Sequence, residues 1–374
     1  MILLACLQML FGIDLSAVER PRVVPQAEQY LQLAPVTITS FPAPNSAGGR
    51  HDYYSEGDYW WPDPDHPDGP YIRKDGQSNP ANFVAHRHAL MQMGVQVSTL
   101  VAAYRVTRDE RFSAHALRHV RAWFVDSATA MSPHLLYAQA IKGRVTGRGV
   151  GIIDTIHLIE VVRACEVLEE ARAIQKSDAE AVRRWFSEYL RWLTTHPYGL
   201  EERDAQNNHG TWWVAQVASF ARLVGDSASM DFCRRRYKET LLPTQLGRDG
   251  SFPLELSRTK PYAYSLFNLE GMALICELLS SEQDNLWTYS LEDGRSLCAA
   301  LEFMLPFVKD KRTWDRTPDV QYFEELPVRQ CAWIFAARAL EQEDYAKLWL
   351  TLKAVQTVEE IVRNFPIRQP LLWF

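Results

Sequence analysis

From about Phe83 onward, apolar residues recur at spacings of three and four, the repeat of helices that each bury one face. This pattern predicts helices over residues 83–106, 111–125, 152–173, 178–194, 211–224 and 229–240. It continues with helices over 264–279, 294–307, 328–340, 345–354 and 358–364. Alternation with period two, the mark of a half-buried strand, is nearly absent. Turn signals separate the helices, as at Gly225-Asp226, Asp249-Gly250, Asp293-Gly294 and Thr317-Pro318-Asp319. No strict period recurs, which argues against a short-repeat solenoid. The expected fold is all-α, built of paired antiparallel helices that either stack as an open superhelix or close into an (α/α) toroid. We favour a toroid of about six to seven helical hairpins.

Two stretches break this rhythm, residues 46–82 and 242–261, and both are rich in polar and aromatic side chains. Long loops inside a compact chain are usually functional or disordered, and the aromatic content argues for the former. The expected organisation is an N-terminal segment, residues 1–25, followed by one domain over 26–374 with residues 46–82 as an aromatic arm closing over one face.

Composition adds limits. A chain of 374 residues with 47% hydrophobic content can bury a large core. A net charge of -6 and the lack of a dense Lys/Arg run do not suit a nucleic-acid partner. A polyanionic substrate would have to be held by a local cationic cleft. The 12 Trp and 15 Tyr can serve as platforms for sugar rings or as core. The six cysteines, Cys6, Cys165, Cys233, Cys276, Cys298 and Cys331, show no CxxC spacing and read as buried thiols. The apolar start, residues 1–12, is short and lacks the basic region of a secretory signal, although Leu3-Leu4-Ala5-Cys6 faintly resembles a lipoprotein cleavage box. A signal remnant is the expectation there. No run approaches the ~20 apolar residues that span a bilayer, and the oligomeric state is left open.

Three segments carry candidate chemistry. In Asn207-Asn208-His209-Gly210-Thr211-Trp212-Trp213, set just before an expected helix, His209 has the type of a general base and Asn208 of a carboxylate donor. The same residues also read as a helix cap with an ordinary polar histidine. Around Gly250 to Tyr264, Arg258 offers a fork for a carboxylate, and a cation close to Tyr264 lowers its phenol toward an acid/base range; an exposed surface loop is the plainer reading. Between Gln139 and Arg148, Lys142, Arg144 and Arg148 alternate with glycines but match no phosphate loop, leaving a cationic cleft wall or a solvated loop.

Metal signals fail. In Asp63-Pro64-Asp65-His66-Pro67-Asp68-Gly69 a proline takes a calcium ligand position and the glycine comes one residue late. His115 and His119 share a helix face without a third ligand, and His86 and His88 do not share one. No metal or cofactor is expected. Glu201, Glu202, Asp204, Glu324 and Glu325 are candidates for a glycoside-hydrolase pair, yet each lies in a charged, solvated-looking setting and none stands out.

Asn-Asn-His upstream of Arg-Thr-Lys-Pro-Tyr-Ala-Tyr in an all-α chain resembles the alginate-lyase superfamily. That superfamily includes polysaccharide lyase family five, with its (α/α) toroid, and family thirty-eight. The closer likeness is to family thirty-eight, through residues 51–59, Trp60-Trp61-Pro62-Asp63-Pro64, 79–87, 137–149, 207–210 and 250–269, and it runs from about residue 30 to Phe374. The arginine-to-tyrosine spacing differs slightly from that of family five.

The resemblance implies that Asn208 holds the uronate carboxyl group, His209 acts as base or assists it, Arg258 neutralises charge and Tyr264 acts as acid or base. Asn207, Lys260, Tyr59, Trp60, Asn82, His86, Arg87, Arg144 and Arg148 would bind neighbouring sugars. It further implies an acidic polysaccharide partner, cleavage by β-elimination to 4,5-unsaturated uronate ends, and a periplasmic or secreted location. The chemistry asks for such groups in its own right, because a carbanion forming at C5 beside a carboxylate needs that carboxylate neutralised. A mannuronate or glucuronate places the C5 proton and the leaving oxygen on one face, where Tyr264 alone could serve. A guluronate places them on opposite faces and calls for His209 and Tyr264 together. A glucuronan lyase, an (α/α)-toroid glycoside hydrolase and a non-catalytic glycan-binding protein remain as alternatives.

Overall fold

A computed structural model describes residues 9–374, so Cys6 and most of the apolar start lie outside the described residues. The predicted helices are present with shifted ends. They run over Ala85–Thr107, Glu110–Phe124, Leu158–Glu170, Lys176–Thr195, Asn208–Val224 and Ser227–Arg236. The chain continues through Pro261–Leu279, Leu297–Lys309, Cys331–Ala339, Glu343–Thr351 and Glu359–Asn364. Side chains that cap free backbone N–H groups fix several starts: Asp109 accepts from Arg111, Asp226 from Ser229 and Ser296 from Ala299. Gly225, at φ 77°, closes the Asn208–Val224 helix in the left-handed region that glycine enters without strain.

Differences from the sequence reading have local causes. The helix expected over 152–173 begins as a tighter 3-10 segment, Gly149–Thr155, because Gly149 and Gly151 pack against backbone where no Cβ fits. The helix Leu15–Tyr30 gives no clear apolar period along the sequence, because it contains Pro21 and Pro25 and because a charged residue, Glu19, shares its buried face with Leu15, Val23 and Ala27. Glu19 is compensated there by Arg22 and Arg329. This helix crosses the boundary expected at residues 25 and 26, so residues 15–25 belong to the same core. Pro197–Arg203, started by proline and capped by His196, is too short to show a period. The aromatic arm holds short strands: Tyr54–Glu56 pairs in parallel with Tyr137–Ala140, and Trp60–Trp61 runs antiparallel to Ile72–Arg73.

At the centre, the helices Asn208–Val224 and Pro261–Leu279 pack on each other and are buried on nearly all sides. Trp212 stacks on Phe267 at 4.9 Å, and Gln245 accepts hydrogen bonds from Thr211 and Asn268, satisfying polar groups inside the core. Cys165, Cys233, Cys276 and Cys331 are buried free thiols and Cys298 is half-buried. No helix among the described residues is long and apolar enough to cross a membrane.

The arm is stitched to this core. Asp58 is bound by Arg87 at 2.6 Å and by Arg363 at 2.5 Å, the latter from the Glu359–Asn364 helix near the end of the chain. Tyr53 and Ser55 both donate to the buried Asp154, at 3.1 and 2.6 Å.

Candidate active site

The arm, the starts of the two central helices and the Glu359–Asn364 helix enclose a cleft of about 300 Å³. Tyr59, Trp60, Arg148, Asn207, Asn208, His209, Arg258 and Tyr264 all face it, together with Arg73, Gln139, Asp58, Arg363 and Asn364.

Asn208 and His209 lie in the first turn of their helix, three residues earlier than the sequence placed its start, with Asn207 capping the His209 N–H. Gly210 permits this entry, since a Cβ there would sit 2.2 Å from the Ala205 carbonyl oxygen. The Asn208 backbone N–H and its Nδ2 donate to the two oxygens of Glu255, at 2.7 and 2.8 Å, which fixes the amide. Nδ1 of His209 lies 2.6 Å from Oε1 of Glu202, leaving Nε2 as the unengaged edge of a ring that lines the cleft.

Glu202 is only 1% exposed, and burial pushes its carboxyl group up while His209 draws it back. The solvated setting expected for it is therefore corrected: the short helix Pro197–Arg203 turns it inward. Glu255 is also pushed up by burial, against the pull of Asn208.

Tyr264 is 8% exposed, and its hydroxyl meets that of Tyr59 at 2.8 Å. Burial pushes its phenol up to about 12, although the Arg258 guanidinium, 4.4 Å from its ring centre, pulls the other way. The expectation that the cation would lower the phenol is thus reversed, because desolvation is the larger effect. Arg258 is itself braced by two hydrogen bonds to Asp75, each of 3.1 Å.

The opposite wall is built on Gln139, whose φ of 48° is a strained value for a non-glycine residue. Its main-chain and side-chain oxygens accept from Arg148 at 2.9 and 3.0 Å, orienting that guanidinium. Arg148 forms no ion pair with a carboxylate among the described residues, whereas Arg73, Arg258 and Arg363, the other cleft arginines, are all paired. Gly57 allows the close approach: a Cβ there would lie 2.7 Å from Trp60 and 2.8 Å from Arg148.

Five expected substrate contacts do not line the cleft. Arg87 is buried and committed to Asp58, and Lys260 is 1% exposed and paired with Glu360 at 3.0 Å. Asn82 braces the Gly57 carbonyl, and His86 bridges the Tyr54 N–H and the Phe41 carbonyl. Arg87, Asn82 and His86 hold the arm in place, while Lys260 ties the start of the Pro261–Leu279 helix to the Glu359–Asn364 helix. Arg144 stands further out, 5.1 Å from the Trp60 ring centre and bonded to the Tyr71 carbonyl. Conversely, Arg363 and Asn364 had no local signal, since only tertiary packing brings the end of the chain to the cleft. Gln139 and Arg73 stood within segments already singled out, but nothing distinguished them from their neighbours.

The carboxylate pair of a glycoside hydrolase does not emerge. Asp58 is the one cleft-lining carboxylate among the described residues. It is buried, but its two arginines outweigh that burial and keep it below the usual carboxylate range, which denies it the role of acid. Glu324 is exposed on Lys311, Glu325 pairs with Lys353 and Asp204 pairs with Arg203 and Arg236. Among the described residues no group of three or more His, Cys, Asp or Glu could hold a metal ion.

The alginate lyase family model matches residues 37–314. The fold is similar to that of a crystal structure of an alginate lyase from Bacteroides ovatus, 30% identical, over 96% of this chain and 93% of that one, with a TM-score of 0.83. A variant of alginate lyase A1-III complexed with a tetrasaccharide shares the fold at 15% identity, with 94% of each chain covered and a TM-score of 0.58. No curated protein sequence matches the chain. With the family model spanning most of its length and a relative of 30% identity covering nearly all of it, the chain belongs to the alginate lyase family and is a polysaccharide lyase.

Proposed function

We propose that the enzyme cleaves alginate-type uronan by β-elimination, with the Asn208, His209, Arg258 and Tyr264 cluster as its chemical centre. The observation that carries this reading is the joint presence, in one cleft, of an orphan cation, a clamped amide, an imidazole with a free edge and a protonated phenol. Among the described residues no carboxylate pair suited to hydrolysis accompanies them.

In this mechanism the substrate carboxylate is met by Asn208 and Arg258, and Arg148 supplies the charge that the other cleft arginines spend on protein carboxylates. As the C5–H bond breaks, its electron pair forms the C4=C5 double bond and the C4–O bond to the leaving sugar breaks. Nε2 of His209 takes the C5 proton, and the Tyr264 hydroxyl gives its proton to the departing oxygen. A phenol at about 12 is protonated at neutral pH, and ionising it there costs roughly 7 kcal/mol. That cost favours Tyr264 as acid with His209 as base, the arrangement that guluronate demands. Mannuronate needs Tyr264 ionised once substrate binds, so guluronate linkages are expected to react faster.

We also propose that the helices close as an (α/α) toroid with the cleft at one mouth, and that the enzyme meets its polymer in the periplasm or outside the cell. The test is ultraviolet absorbance of unsaturated uronate during incubation with polyguluronate, polymannuronate or glucuronan. Tyr264→Phe should lower the rate by roughly 100-fold or more while retaining substrate binding. New reducing ends without the absorbance would sink the elimination mechanism, and a rise on glucuronan alone would move the substrate to that polymer.

A further inference from the structure

The imidazole of His209 is held from behind by a carboxylate that the reaction itself does not use. Glu202 is 1% exposed, comes from a separate short helix, and approaches Nδ1 at 2.6 Å. Among the described residues its second oxygen has no hydrogen-bond partner, so the contact with His209 is the polar interaction that its buried head makes there. A lone buried carboxylate satisfied by one ring nitrogen determines which nitrogen carries hydrogen.

We infer that Glu202 is a positioning residue: it accepts the Nδ1–H of His209 and so holds the ring in the tautomer whose Nε2 lone pair faces the cleft. This rests on the reading of His209 as the base. The other charged groups around the pair are Glu201 and Arg148 on the Glu202 side and Glu255 and Arg258 on the Asn208 side. None of them makes a hydrogen bond to the imidazole, so they do not select its tautomer. When Nε2 takes the C5 proton, the imidazolium keeps both hydrogens, and the buried carboxylate at Nδ1 stabilises that charge from the side of the ring away from solvent. Glutamine at this position presents either its carbonyl oxygen or its N–H to Nδ1, so it removes both the charge that stabilises the imidazolium and the fixed choice of tautomer.

The experiment compares Glu202→Gln, His209→Ala and the double variant on polyguluronate and polymannuronate, with kcat and KM separated. Glu202→Gln should lower kcat on polyguluronate by roughly 100-fold with KM little changed, and should affect polymannuronate less. The double variant should be no slower than His209→Ala alone, because Glu202 acts through the ring. Losses that multiply in the double variant, or an unchanged kcat in Glu202→Gln, overturn the proposal. Nitrogen NMR of labelled histidine reads the tautomer without turnover: hydrogen on Nδ1 in the wild type and on Nε2 in Glu202→Ala, which has no acceptor to offer, is expected, and the same tautomer in both overturns it. If His209→Ala keeps full activity while the wild type makes unsaturated ends, the base assignment fails; if the wild type makes none, the lyase mechanism fails first.

Discussion

Tyr264 shows how a residue's surroundings can overrule its nearest neighbour. Arg258 lies against its ring, yet burial dominates and the phenol stays protonated. Arg148 is the opposite case, a cation without a carboxylate partner among the described residues, its hydrogen bonds going to Gln139. Arg148→Ala should therefore raise KM for the polymer by roughly 10-fold, the order of one lost charge-assisted contact, with a smaller effect on kcat. Initial-rate kinetics on defined oligouronates check this, and an unchanged KM would remove Arg148 from substrate binding. At this scale the sequence was partly legible. Asn208, His209, Arg258 and Tyr264 share one cleft, and each stands in a motif with special turn or charge chemistry. Glu202 and Glu255 were obscured because an acidic side chain looks solvated until a short helix turns it inward.

Among the elements, the long amphipathic helices declared themselves through their spacing, whereas Leu15–Tyr30 hid behind two prolines and a buried Glu19. The helix Pro261–Leu279 carries another acidic side chain in an apolar setting. Glu270 is fully buried and accepts from the Cys331 N–H at the start of the Cys331–Ala339 helix. Burial raises its carboxyl group to about 8 from the usual 4.5, against the pull of the Ala332 and Cys331 N–H groups. The folded state therefore binds this proton more tightly than the unfolded chain does. The associated stability is fully present below about 4.5 and is lost as pH rises toward about 8. Glu270→Gln should flatten that decline, leaving a melting temperature nearer the wild type's at the acid end and above it at the alkaline end. Parallel melting curves for the two proteins across this range would contradict the assignment.

For the whole molecule, the decisive joints are charged and buried. Asp58 is held by Arg87 and Arg363, and Lys260 by Glu360, so the arm, the central helices and the end of the chain meet in one ionic cluster. Asp58→Ala leaves two guanidinium groups facing each other out of water and should cost about 3–5 kcal/mol of stability. Denaturant titration measures it, and a loss near that of an exposed ion pair would show that the cluster relaxes. The sequence could not reveal this assembly, because no pattern along the chain tells Asp58 that Arg363 is its partner.

The same joint carries a kinetic consequence. The cleft needs residues from near both ends of the chain, while most helices form from neighbouring segments, so closure of the long loop is a late and entropically costly event. During refolding, helical signal should return before catalytic competence, and the lag between them times the docking of the arm onto the final helix. If activity and helicity return together, the arm docks as fast as the helices form, and the cleft is assembled with the core rather than after it.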